Sequence, residues 1–159
     1  MWAKGLTVVL AADHAGFALK EVLKGWLAQA GVAVEDCGAV SPDPADDYPC
    51  FIFPAARRVQ ELRVQGAQAF GVVLGGSGQG EAMAANKVPG VRAAVFYGGD
   101  LAIARLAREH NDAFILSLGA RFVGEEEAKE AVRLFLTTPF SREARHARRL
   151  EQIAQEECR

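Results

Sequence analysis

The chain has 159 residues, half of them hydrophobic, enough for one ordinary domain with a substantial core and no requirement for a second. A formal net charge of −2 and a pI near 5.9 argue against bulk attraction to nucleic acid or an anionic membrane, so any basic site must be local. Three irregularly spaced cysteines, Cys37, Cys50 and Cys158, fit reduced thiols better than a disulfide framework, and no CxxC pattern, signal peptide or run of about 18 apolar residues is present; a cytoplasmic protein is expected.

Taken in order, the chain alternates apolar runs with amphipathic ones. Leu6 to Ala11 reads as a first strand, punctuated by Asp13-His14-Ala15-Gly16. Leu19, Val22, Leu23, Trp26 and Leu27 then form the stripe of a helix packed on a sheet, which Gly31 stops. Val32 to Asp36 is a short second strand. The polar loop from Ser41 to Asp47 leads to Tyr48-Pro49 and a helical pattern from about Cys50 to Gln65, in which Pro54 either starts the regular part or kinks it.

Phe70 to Leu74 reads as a third, buried strand that breaks into Gly75-Gly76-Ser77-Gly78-Gln79-Gly80 and passes into a helix from Glu81. Val91 to Tyr97 is a fourth strand. Asp100 is the expected N-cap of a helix over Leu101 to Glu109, ended by His110-Asn111-Asp112. Ala113 to Leu118 is a fifth strand followed by Gly119-Ala120-Arg121. Ala128, Ala131, Val132 and Phe135 mark the next helix, terminated at Thr137-Thr138-Pro139, and a last helix begins near Ser141.

Five strands alternating with helices imply a parallel sheet covered on both faces, and ligands of such sheets bind beyond the carboxyl ends of the strands. Asp13 and His14, the run from Gly75 to Glu81, and Arg121 all fall at those ends. His110 and Asn111 precede the fifth strand at its amino end, so joining the same site requires them to come from elsewhere, such as a neighbouring subunit.

The glycine run does not fit a dinucleotide fingerprint, because Glu81 or Met83 stands where the third glycine of G-x-G-x-x-G belongs. Gly75 and Gly80 have the first spacing of a Walker A loop, but Glu81-Ala82 replaces its Lys-Ser/Thr. What remains is either a tight exposed turn or an anion cradle made of helix-start amides. Glu81 alone is explained equally by the helix dipole and by a role as a base; desolvation would raise its pKa and the helix N-terminus would lower it. No HExxH or Cys/His spacing supports a metal. In SREARHARRLEQ, Arg145 and Arg149 stand at i and i+4 with His146 on an adjoining face, a pattern shared by a solvated basic helix and by a site for a single phosphate.

Together, AADHAGFALK, DDYP at Asp46 to Pro49, GGSGQGEAMAANKVPGVRAA, REHNDA, LGAR and RHARR resemble the ribose-5-phosphate isomerase type B family, which includes galactose-6-phosphate isomerase subunits. The resemblance covers nearly the whole chain, residues 1–159 as one sugar-phosphate isomerase domain. It implies a three-layer α/β/α, Rossmann-like fold with a five-stranded parallel sheet and an extra C-terminal helix. It also implies a homodimer or dimer of dimers with shared active sites, and cofactor- and metal-free isomerisation of ribose 5-phosphate to ribulose 5-phosphate through a cis-enediolate.

Many members of the family carry a catalytic cysteine at the position of Gly75, whereas another branch has glycine there and a glutamate at the position of Glu81. The resemblance therefore makes Glu81 the base, Ser77 a proton shuttle, and His110 the ring opener, with Asn111 binding the reacting oxygens. The amides of Gly76, Gly78, Gln79 and Gly80 would hold the oxyanion, while Asp13, His14 and Tyr48 contact the sugar. Arg121, Arg145, His146 and Arg149 would take the phosphate, some from a partner chain. The same chemistry on a tetrose or hexose phosphate, and a non-catalytic phosphosugar-binding protein, are the competing readings.

Overall fold

The computed structural model describes residues 2–158. Strands β1 (Thr7–Ala12), β2 (Ala33–Asp36), β3 (Ala69–Gly75), β4 (Ala93–Phe96) and β5 (Ile115–Gly119) form one parallel sheet in the order β2-β1-β3-β5-β4. Every residue of β3 and β5 is buried, as expected of central strands covered on both faces. Helices α1 (Phe17–Gln29), α4 (Ala102–Asn111) and α5 (Glu125–Thr137) pack on one face, and α2 (Pro49–Val64) and α3 (Gln79–Ala85) on the other. A further helix, α6 (Ala144–Glu157), lies outside the sheet against α4, completing the expected three-layer arrangement.

The core draws on both layers. Leu23 and Leu27 of α1, Ile52 and Val59 of α2, and Phe135 of α5 are fully buried against Val8 to Leu10, Val72 to Leu74 and Ile115 to Leu118. Each such side chain contributes roughly 1.5–3 kcal/mol of burial. Phe70 meets Phe135 edge-on at 6.0 Å. Lys20 is also fully buried, its Nζ 2.6 Å from both Glu21 and Asp36. A buried ammonium is tolerated because both carboxylates accept from it.

Element boundaries differ from expectation where local chemistry overrides the pattern. The second helix begins at Pro49 and runs through Pro54, whose missing N–H leaves a carbonyl on the exposed side. The third begins at Gln79 rather than Glu81, because Gly78 takes φ 76° and turns the chain into the helix. Leu101, not Asp100, occupies the cap position of α4, yet the Asp100 carboxylate still accepts the Ala102 N–H at 2.8 Å. His110 and Asn111 stay helical; the helix ends at Asp112 (φ 42°), whose carboxylate is paired with Arg92 and Arg108. The last helix starts at Ala144 instead of Ser141, because Arg142 adopts φ 57° and Glu143 is extended.

The strand order sets the site. From β1 the chain crosses by α1 to β2 on one side, then by α2 over the opposite face to β3 on the other. The two crossovers leave a crevice between the carboxyl ends of β1 and β3, the topological switch point where open α/β sheets bind ligands.

Candidate active site

A cavity of about 240 Å³ opens at that crevice, lined by Asp13, His14, Ala15, Tyr48, Gly76, Ser77, Gly80, Glu81 and Arg121. Asp13 and His14 follow β1 directly. Asp13 is 7% exposed, and its Oδ1 accepts the N–H groups of Ala15 at 2.9 Å and Gly16 at 3.2 Å, fixing the turn into α1. His14 is held by Asp46 from the long loop: the Nδ1 lies 2.6 Å from Oδ1, and the His14 amide donates to the same carboxylate at 3.0 Å. That hydrogen bond holds the imidazole pKa above its ordinary value, with the Asp13 charge adding to the effect.

The glycine run brings three groups together. Gly75 has no side chain, and the Glu81 carboxylate fills the space: a Cβ there would stand 1.8 Å from Oε1. The Arg121 guanidinium lies over Gly76, and the Tyr48 ring rests on Gly80. The loop is clamped to β5 and the turn after it. Gly75 and Gly76 carbonyls accept the amides of Ala120 at 2.8 Å and Arg121 at 3.1 Å, and the buried Ser117 hydroxyl donates to the Gly78 carbonyl at 2.6 Å. The first amides of α3, from Gln79 and Gly80, have no carbonyl one turn earlier within the helix, and the Gln79 N–H donates to the Ser77 hydroxyl at 3.4 Å.

Glu81 is 4% exposed. Burial raises its pKa and the Asp13 charge adds to the rise, while its own backbone N–H opposes them. Burial thus outweighs the hydrogen bond from the helix-start N–H. A carboxylate with raised pKa in a small polar cavity is suited to taking and returning a proton.

The remaining expected residues lie elsewhere. His110 and Asn111 end α4 at the amino edge of the sheet, with Arg145, His146 and Arg149 on α6 beside it. Arg121 thus shares a cavity with Glu81, not with the α6 cations of its own chain. Nor do the three α6 cations share a face. Arg145 and Arg149 are exposed, Arg145 pairing with Glu143 at 2.8 Å, whereas His146 is buried and its ring stacks on His110 at 4.3 Å between centroids. Burial, then the neighbouring His110, lowers the His146 pKa, and its Nε2 has no hydrogen-bond partner among the described residues.

Two residues escaped the sequence reading. Asp46 orients His14, and Ser117 anchors the glycine loop. Asp46 stood inside the DDYP motif as a signal; Ser117, in an apolar strand, gave only its polarity. No cysteine lines the cavity. Asp13, His14 and Asp46 offer ligand atoms within 4.8 Å of one another, but Asp13 and Asp46 already accept backbone and imidazole hydrogen bonds there.

Comparison with known proteins places this geometry. The family described as Ribose/Galactose Isomerase matches residues 8–153. The chain belongs to that family. It is 45% identical over 152 residues to "Ribose-5-phosphate isomerase B" of Mycolicibacterium paratuberculosis, covering 96% of this chain and 92% of that protein. Among solved structures, ribose-5-phosphate isomerase B from Mycoplasma genitalium with bound ribulose-5-phosphate is 35% identical, with a TM-score of 0.87 and 98% coverage of both chains. The type B ribose 5-phosphate isomerase from Trypanosoma cruzi is 41% identical, with a TM-score of 0.85, covering 96% of this chain and 98% of that one. The family accounts for the α/β/α fold and identifies the chain as an isomerase-family protein. No helix among the described residues is long and apolar enough to cross a membrane.

Proposed function

We propose that the chain interconverts ribose 5-phosphate and ribulose 5-phosphate, acting over residues 1–159 as one domain in the cytoplasm. The observation that carries this reading is the Glu81 carboxylate, buried in the space above Gly75 and facing a cavity shared with Asp13, His14, Tyr48, Ser77 and Arg121. Relatives at 45% identity bear the name of this activity, and a structural neighbour holds ribulose-5-phosphate.

In this reading Glu81 takes the C2 proton of the open-chain aldose and returns it to C1. Electron density moves onto the carbonyl oxygen, and the amides of Gly76, Gly78, Gln79 and Gly80 bind the resulting enediolate. Ser77 transfers the proton between the two sugar oxygens. Asp13, His14 and Tyr48 hold the sugar, with His14 kept in place by Asp46.

Ring opening by His110, with Asn111 on the reacting oxygens, requires a second copy of the chain, since those residues stand at the amino edge of the sheet and the cavity at the carboxyl edge. A homodimer, or a pair of dimers, would place His110, Asn111, Arg145 and Arg149 of one copy against Arg121 and Glu81 of the other. His146, stacked on His110, fits a role in setting that ring's position as well as the phosphate contact implied by the resemblance.

A panel of aldose phosphates of four to six carbons, assayed in deuterated water, tests the reading. The expected result is fastest turnover on ribose 5-phosphate with solvent deuterium exchange at C2. Binding without exchange would make the chain a carrier, and preference for a tetrose or hexose phosphate would change the substrate but not the chemistry.

A further inference from the structure

A second and larger cavity, of about 680 Å³, lies at the amino edge of the sheet, opposite the crevice that holds Glu81. Its charged lining consists of four arginines, Arg63, Arg92, Arg108 and Arg142, and a single carboxylate, Asp112. Two of the arginines are structural braces. Arg92 donates to the Asp112 carboxylate at 2.7 Å and to the carbonyls of Asn111 and Asp112, while Arg108 donates to Asp112 at 2.8 Å and to the Ala113 and Thr138 carbonyls. The one available carboxylate is therefore already divided between them.

Among the described residues, Arg63 and Arg142 have no such partner. The half-buried Arg63 guanidinium makes a single hydrogen bond, to the Ala69 carbonyl at 3.0 Å, out of five possible donors. Its plane is pinned 4.3 Å from the Phe114 ring centroid, a ring that Arg92 also approaches at 5.3 Å, so its fork is fixed before any ligand arrives. Burial disfavours the charged form of Arg63; the Asp112 charge opposes this, and the charges of Arg108 and Arg92 add to it. The exposed Arg142 reaches the same cavity from a backbone held at φ 57°, a conformation that a non-glycine residue seldom adopts.

Four positive charges against one negative, with Arg63 using one of its five donors and neither Arg63 nor Arg142 paired to a carboxylate among the described residues, leave a cavity short of anion. Guanidinium forks match phosphate oxygens two at a time. The volume lies within the roughly 300–1,000 Å³ range of small-molecule sites and is far larger than one water-sized or single-ion hole. We infer that this cavity binds a small metabolite bearing two phosphoryl groups, with Arg63 and Arg142 as its principal contacts, at a site separate from the sugar-phosphate cavity. A nucleoside diphosphate and a sugar bisphosphate share this chemistry.

The test is calorimetric titration of the full chain carrying Arg145→Ala and Arg149→Ala, which removes the proposed substrate-phosphate contacts on α6. Inorganic pyrophosphate, ADP and fructose 1,6-bisphosphate serve as probes. Saturable binding of pyrophosphate at one site per chain is expected, weakened at least about ten-fold when Arg142→Ala or Arg63→Gln is added. Tighter binding of ADP or of the bisphosphate than of pyrophosphate would support the site and identify which class of metabolite fills it. Arg142 is exposed, so its substitution leaves the fold intact, and the Arg63 variant is checked by its unfolding temperature. Absence of binding by all three probes, or binding unchanged by Arg142→Ala in the folded protein, would overturn the inference. Because the isomerase assay is not used, failure here is distinct from failure of the proposed activity.

Discussion

The carboxylate of Glu81 and the hydrogen atoms of Gly75 share one space: a Cβ on residue 75 would fall 1.8 Å from Oε1 and 2.0 Å from Cδ of Glu81. A side chain at position 75 and a carboxylate at the observed place cannot coexist. The obstacle is the tip of a flexible side chain rather than backbone, so the fold can yield where the site cannot. Gly75→Ala is expected to keep its unfolding temperature near that of the parent while kcat falls about 100-fold through displacement of the base. Unchanged turnover in a folded Gly75→Ala protein would show that the carboxylate position is not critical.

Replacing Glu81 by Gln preserves shape and removes the proposed proton acceptor. Turnover should fall by about 10²–10⁴ with KM little changed, as measured by steady-state kinetics. The same variant carries a stability signature. Folding raises the Glu81 pKa, so between the unfolded and folded values the native chain binds more protons, and stability falls as pH rises through that window. Gln cannot ionise. Glu81→Gln should therefore match the parent below the ordinary carboxylate range and melt at a higher temperature than the parent at neutral pH.

The acid limb of kcat/KM should lie above the ordinary carboxylate range, because the proposed mechanism requires ionised Glu81. Asp13 contributes to that upward shift through its charge. Asp13→Asn keeps an acceptor for the Ala15 and Gly16 amides but loses the charge, and it should move the acid limb to lower pH. A limb that stays in place would assign it to another group, with His14 the nearest candidate.

Ser117 is fully buried and its one hydroxyl bond holds the Gly78 carbonyl. Ser117→Ala removes one of the two hydrogen bonds to that carbonyl, which still accepts the Ala82 N–H at 3.1 Å, and should cost about 0.5–1.5 kcal/mol in chemical denaturation. Loosening the loop should also lower kcat more than it raises KM. A stability loss with unaltered kcat would confine Ser117 to the fold.

The proposed sharing of sites between two chains is tested by a mixing experiment. Glu81→Gln and His110→Ala should each be nearly inactive on cyclic substrate. Random exchange of the two into dimers makes half of them mixed, and each mixed dimer has one intact site of two, so about a quarter of parental activity should return. No recovery after verified exchange would place both residues in sites of the same chain.

The alternation of β-branched runs with amphipathic helices made the sheet and its parallel sense readable, and the ends of β1, β3 and β5 correctly brought Asp13, His14, the glycine loop and Arg121 to one cavity. The placement of His110 at the opposite edge followed from the same counting. Strand order did not, since β5 inserts between β3 and β4 by long-range packing that no local pattern encodes. The fate of Glu81 was also hidden: helix start and burial pull its pKa in opposite directions, and only the enclosing side chains decide. The inward turn of His146 escaped for a related reason, because the ring it stacks on belongs to a different helix.

The division of functional groups between the two edges of the sheet has a consequence for how the protein behaves at low abundance. Under the proposed mechanism, a chain without a partner would hold a base with no ring opener at one edge and a ring opener with no base at the other. Specific activity on cyclic substrate would then follow mass action, constant when chains are paired and falling in proportion to concentration once dilution separates them. The parallel sheet, by keeping these groups apart within one chain, would then turn protein concentration itself into a condition for turnover.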